Sequence, residues 1–178
     1  DVHLPEMEMH TTSYWLTVPE ELISQLNAPR ALVVDALRGV GHAMETVASL
    51  ALMCDPRDIN QTLGDGEHMP ERAPANQAPA NQAPANRTPA GRNAKAGLTG
   101  QLDPTLFLFD AQPGGVGLAE RIFERSGELM GRCRDLIRLC PCDAGCPACV
   151  GPTEEGPRKS LALALVELLG TAENITIH

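Results

Sequence analysis

The chain has 178 residues, a formal net charge of -9 at pH 7 and only 3% aromatic residues, so most of its apolar content is Ala, Leu and Val. That length carries one ordinary hydrophobic core, aliphatic and helix-rich. The charge excludes a protein that grips nucleic acid by charge alone, because phosphate neutralisation needs clustered Lys and Arg.

The charge is unevenly spread. Residues 1–29 contain acids but no Lys or Arg, whereas Arg132, Arg134 and Arg138 gather within seven residues. A local basic face therefore survives the global count. No basic-then-apolar leader opens the chain, and no apolar run reaches the length of a membrane span. A cytoplasmic location with no membrane partner is expected. The opening DVHLPEMEMHTTSYWLTVP alternates like a strand and lacks a start methionine. A segment of a longer protein is expected, with motor or catalytic motifs lying outside it.

His10–Val18 (HTTSYWLTV) is rich in β-branched and aromatic residues and predicts a strand. Pro19, Glu20 and Glu21 suit the first turn of a short helix, where proline is tolerated and acids meet the positive dipole end. Asn27 is the expected cap of a second helix over residues 28–53. There Val33, Leu37, Val40, Met44, Val47 and Ala51 recur at spacings of four and three, forming one apolar face. Gly39 and Gly41 weaken that helix by about 1 kcal/mol each relative to Ala, which points to close approach of another backbone. His42 beside them reads as a partly buried, hydrogen-bonded side chain, with a site residue as the sharper alternative. Cys54-Asp55-Pro56-Arg57-Asp58 reads as an ion-paired corner, with Cys54 a small hydrophobe.

From about residue 64 to 100 the chain turns to low complexity. Pro74, Pro79, Pro84 and Pro89 repeat with a period of five in APANQAPANQAPANRTPAG, which matches neither helix nor strand. A disordered or polyproline-like insertion is predicted. It joins two halves of one domain spanning 1–178, since neither half has the parts of a core by itself.

TLFLFD (residues 105–110) predicts a buried strand, followed by the glycine turn Asp110–Gly117 and one long amphipathic helix. The turn holds Gly114, Gly115 and Gly117 at a strand-to-helix junction, where exposed N–H groups and the dipole suit a phosphate. It matches neither a Walker motif nor a dinucleotide fingerprint, so nucleotide hydrolysis is not supported. The competing reading is a turn that needs positive φ and tight strand–helix packing. Asp110 is read as capping the helix or accepting from Arg57. Leu161, Leu165, Leu168 and Leu169 mark a last helix, and the tail TAENITIH is read as fraying or adding an edge strand.

Cys140, Cys142, Cys146 and Cys149 have the spacing C-x-C-x3-C-x2-C, broken by Pro141, Gly145 and Pro147. Four thiolates within ten residues can fold around one tetrahedral zinc ion. An iron–sulfur cluster and disulfides are the rival uses of these cysteines. Four protein ligands leave no open position for a substrate, so the ion is expected to be structural. Cys133 is read as core-facing.

LFLFDAQPGGVGLAERIFER followed by LCPCDAGCPACV closely resembles the C-terminal zinc-binding domain of MrfA-type superfamily 2 DNA helicases. TTSYWLTVPEEL, the helix holding Gly41-His42-Ala43, and MCDPRD are similar to that domain's opening. The resemblance implies an accessory domain of an ATP-dependent 3′–5′ DNA helicase acting in DNA repair. ATP and Mg2+ would bind only in the motor domains of the parent chain. It also implies zinc on Cys140, Cys142, Cys146 and Cys149. The proline-repeat insertion departs from the family pattern and leaves the path from Asp58 to Thr105 undefined.

The expected architecture is α+β: a small antiparallel sheet covered by helices, with a four-cysteine zinc knot at one corner. Single-stranded DNA is the expected partner, through Arg132, Arg134 and Arg138 first and the glycine turn second. A zinc-stabilised module that docks a partner subunit is the alternative. An enzyme built on Asp110, His42 and the glycine turn is a third reading.

Overall fold

The computed structural model describes residues 10–64, 103–153 and 156–171. The proline repeat, the first nine residues and the tail beyond Thr171 lie outside the described residues, and with them the insertion and edge-strand expectations.

The sheet has three strands: β1 (Ser13–Thr17), β2 (Ile59–Gly64) and β3 (Thr105–Asp110). Its order is β1-β3-β2 and both pairings are antiparallel. The apolar run TLFLFD becomes the central strand because it must satisfy ladders on both sides. Ser13 to Thr17 lie opposite Phe109 to Thr105, and Ile59 to Gly64 lie opposite Asp110 to Thr105. Alternation sends Tyr14, Leu16, Leu106 and Leu108 inward, where each is buried. The outer face carries Trp15 directly opposite Phe107, both half-buried, a close aromatic cross-strand pair. Strand β2 was not anticipated: INQTLG has one β-branched apolar residue and a weak alternation.

Helix α1 (Glu20–Gln25) begins after Pro19 with two acids in its first turn, as expected. Helix α2 runs from Arg30 to Leu52. Its N-cap is Pro29 rather than Asn27, and no side chain caps it; Asn27 instead takes a left-handed φ of 47° in the turn between the helices. The expected apolar face is present, but burial extends to Ala36, Ala43, Ala48, Ser49 and Leu52. The helix needs that breadth because it packs on β2 and β3 on one side and on the last two helices on the other.

Gly39 and Gly41 serve those opposite sides. A Cβ at Gly39 would lie 3.0 Å from the Cβ of Val150, and one at Gly41 would lie 1.8 Å from Oε1 of Gln61. The neighbours that require glycine are thus side chains, not the backbone expected. Asp55-Pro56-Arg57-Asp58 forms a 3-10 turn closed by a capping box: the Asp55 carboxylate accepts from Arg57 N, and Asp58 accepts from Asp55 N.

The expected single long helix is two: α3 (Leu118–Glu124) and α4 (Ser126–Leu139). Arg125 breaks them apart with φ -108° and ψ 15°. Its Nη1 donates to Ala51 O at 2.9 Å, capping the end of α2. The break lets α3 pack on β1 and β3 while α4 turns away to pack on α2 and α5 (Arg158–Thr171). Leu129, Cys133 and Ile137 of α4 meet Ala162, Leu165, Val166 and Leu169 of α5 in one continuous core with the sheet. No helix among the described residues is long and apolar enough to cross a membrane.

Candidate metal centre

The four cysteines lie at the end of α4, where the chain must reverse before entering α5. Cys140 ends the helix with an extended backbone at φ -65° and ψ 130°, a turn favoured by the proline that follows it. Gly145 sits at φ 143° against Val150, and Cys149 N donates to Cys146 O at 3.0 Å. These turns bring one sulfur from each cysteine into a group whose members all lie within 4.8 Å of one another.

The separations decide what the group fits. Four of them are 3.5 to 3.6 Å. A tetrahedral ion with Zn–S of about 2.3 Å separates its sulfurs by about 3.8 Å. A disulfide would need about 2.05 Å, and all four cysteines are free. An iron–sulfur cluster inserts several atoms between its ligating sulfurs, for which these distances leave no room. The cluster is suited to one zinc ion.

Its electrostatics point the same way. The Cys142 backbone N–H, then the Cys146 and Cys142 thiols, pull Cys140 down to about 7, while burial pushes Cys149 up to about 12 and raises Cys142. The Cys140 thiolate is thus stabilised by hydrogen bonds from its neighbours, while burial opposes ionisation of Cys142 and Cys149 beside it. A divalent cation removes that conflict by replacing the shared protons.

Three side chains outside the cluster hold it in place. His42 Nε2 lies 2.6 Å from Pro147 O, so this histidine bonds the cysteine loop from α2, in keeping with the blander of its two readings. Lys159 of α5 donates from Nζ to Cys140 O at 2.7 Å and to Cys142 O. Arg158 forms a bidentate pair with Asp35 of α2 at 2.7 and 2.8 Å, and its Nη1 reaches Pro152 O at 2.8 Å. Arg158 and Lys159 were missed in the sequence. Their partners are backbone carbonyls and a carboxylate far away in the chain, so no local spacing marks them. Cys133 is fully buried, as expected, with its Sγ 3.9 Å from Val40 O.

At the glycine turn, N–H groups meet a carboxylate of the chain itself. The Asp110 carboxylate accepts from Val116 N at 2.5 Å, Leu118 N at 3.1 Å and Ala119 N at 2.9 Å. Gly114 N and Gly115 N donate to His10 O and Gln112 O. Asp110 therefore caps α3, the first of its two readings, and its contact is not Arg57. Gly114, Gly115 and Gly117 take φ of 86°, 71° and 83°, conformations that glycine adopts without strain.

On α4, Arg132 and Arg138 are exposed and Arg134 is half-buried, each beside an acid of the same helix. Arg132 pairs with Glu128 at 2.6 Å, and Arg134 and Arg138 pair with Asp135 at 3.0 and 3.2 Å. Three cations against two acids leave the stripe net positive. Exposed pairs of this kind contribute about 0–1 kcal/mol, so a phosphate can compete for the arginines.

A helix-covered antiparallel sheet with a four-cysteine cluster suited to zinc defines a zinc-binding α+β module. The chain belongs to the MrfA zinc-binding domain family, whose model matches residues 40–150. It is 30% identical over 157 residues to the ATP-dependent helicase YprA of Bacillus subtilis (strain 168), covering 87% of this chain and 16% of that protein. A protein of Methanocaldococcus jannaschii is 35% identical over 51 residues, or 29% of this chain and 46% of that one. Among solved structures, the helicase MrfA bound to DNA superposes with a TM-score of 0.66 at 26% identity, covering 94% of this chain and 18% of that one. MrfA bound to DNA and AMPPNP gives 0.56 at 29% identity, covering 93% and 16%. The chain thus spans about a sixth of the helicases it resembles.

Proposed function

We propose that this chain is the zinc-stabilised accessory domain of an ATP-dependent 3′–5′ DNA helicase that acts in DNA repair, and that it helps position single-stranded DNA beside the motor domains. One observation carries the reading: nearly the whole chain superposes on part of a helicase solved with DNA bound. ATP and Mg2+ belong to the motor domains of the longer protein and not to these residues.

Within the domain, Cys140, Cys142, Cys146 and Cys149 hold a structural zinc ion. With four protein ligands the ion offers no position for substrate, and its work is to close the turn between α4 and α5. Arg132, Arg134 and Arg138 contact DNA phosphates. The turn at Gly114–Gly117 enters as scaffold, since its N–H groups largely serve Asp110 and nearby carbonyls.

The test is a salt titration of single-stranded DNA binding by the full-length protein and by an Arg132→Ala, Arg134→Ala, Arg138→Ala variant. Loss of three phosphate contacts should weaken binding at low salt and lower the slope of log K against log salt by about 2. An unchanged slope and affinity, with the domain folded, would remove the arginines from the DNA path. It would favour instead a module that docks a partner subunit.

A further inference from the structure

Helix α5 begins beyond the residues matched by the family model, yet it supplies a cation that binds the backbone of two of the cysteines. The Lys159 ammonium donates to the carbonyls of Cys140 and Cys142, and Lys159 N donates to Ala144 O at 3.2 Å. Among the described residues no carboxylate pairs with this ammonium. Arg158, one position earlier, spends its charge on Asp35, and its stem lies 3.2 Å from where a Cβ on Gly39 of α2 would stand. Arg158 therefore pins the first turn of α5, while the Lys159 ammonium, with no carboxylate in ion-pair distance among the described residues, is held against the carbonyls of the cysteine loop.

Four thiolates around a divalent cation carry a net charge of -2. Such a unit gains from a cation fixed just outside its ligands, and the two carbonyls hold Lys159 in that place. We propose that Lys159 is a positioning residue of the metal centre: it offsets the charge of the metal–tetrathiolate unit and sets how tightly the metal is retained. Metal binding and docking of the first turn of α5 are then thermodynamically linked, so each strengthens the other. The proposal rests on the metal reading given above.

The experiment measures zinc affinity of the 178-residue chain by competition with a chromophoric chelator, for wild type, Lys159→Met and Lys159→Arg. Cobalt(II) spectra of each run alongside. Lys159→Met keeps the aliphatic stem and removes the charge, and it should raise the zinc dissociation constant about 10–100-fold, as loss of an outer-sphere partner does. Lys159→Arg should recover most of that loss, and all three should give the same tetrathiolate cobalt spectrum.

Equal affinity of wild type and Lys159→Met would overturn the proposal, as would a Lys159→Arg variant as weak as the methionine one. A wild type showing no thiolate–cobalt absorption would defeat the metal reading itself, a different failure. Should Lys159→Met not fold, hydrogen exchange on the wild type decides. Removing the metal should deprotect the first turn of α5, and unchanged protection there would sink the linkage.

Discussion

The amide oxygen of Gln61 lies where a side chain on residue 41 would begin. A Cβ built on Gly41 would fall 1.8 Å from Gln61 Oε1 and 2.7 Å from Leu106 Cδ1. Oε1 is buried and meets no donor, while the same amide's Nε2 donates to Glu45 at 3.1 Å. Alanine is favoured over glycine inside a helix by about 1 kcal/mol, but overfilling a packed site costs about 1–3 kcal/mol. Gly41→Ala should therefore be a net loss in denaturant melts. Adding Gln61→Ala should recover part of it, giving a double-mutant coupling of at least about 0.5 kcal/mol.

Glu45 sets the pH response of this contact. Burial raises its carboxyl above the usual range, against the opposing pull of His42 and the Gln61 amide. A raised folded value means that the associated stability is present in full below the unfolded value of about 4.3 and is lost as pH rises through the folded value. At neutral pH the charged carboxylate is thus a cost. Glu45→Gln should melt about 1–3 °C above wild type at pH 7, and the difference should close as the pH is lowered toward that of the free acid. A gap independent of pH would contradict this account.

Asp110→Ala removes the acceptor of three backbone N–H groups at the start of α3. Losing a helix cap and leaving buried donors unpaired costs about 2–4 kcal/mol. Asp110→Asn, which keeps one acceptor oxygen, should fall between. Chemical denaturation of the three proteins gives the order directly.

Met53 ends α2 in the left-handed region at φ 55° and is 93% exposed. Nothing among the described residues packs against it enough to require methionine. Glycine adopts that conformation without the Cβ penalty, so Met53→Gly should stabilise by about 0.5–1 kcal/mol. A lower melting temperature would show that the side chain has a contact that its exposure conceals.

Cys146→Ser or Cys149→Ser should abolish stoichiometric zinc uptake and lower stability by several kcal/mol, because metal binding and folding of the turn are coupled. A chelator should lower the wild-type melting temperature toward that of the variants and leave the variants unmoved. Metal analysis together with thermal melts checks both halves.

What could be read from the amino acids follows the range of the forces involved. The cysteine spacing, the apolar rows of α2 and the run TLFLFD are local patterns, and the structure bears out the elements they imply. The division of α3 from α4 is not local: Arg125 sits in an unbroken amphipathic stretch, and its decisive bond is to Ala51, 74 positions away. Arg158 and Lys159 escaped notice for the same reason. Asn27 misled because a good capping residue also tolerates the left-handed turn it occupies here, leaving Pro29 to start the helix. The glycine turn looked like an anion cradle, and Asp110 of the chain itself accepts from N–H groups there.

Gly64 and Thr105 face each other as the last paired residues of β2 and β3. The ladder thus clamps both ends of the intervening stretch side by side, whatever its number of residues. Closing a longer gap costs little, about 0.6 kcal/mol for each doubling. That end of the ladder is a ready splice point, where foreign sequence can be added or trimmed while the strand register is kept.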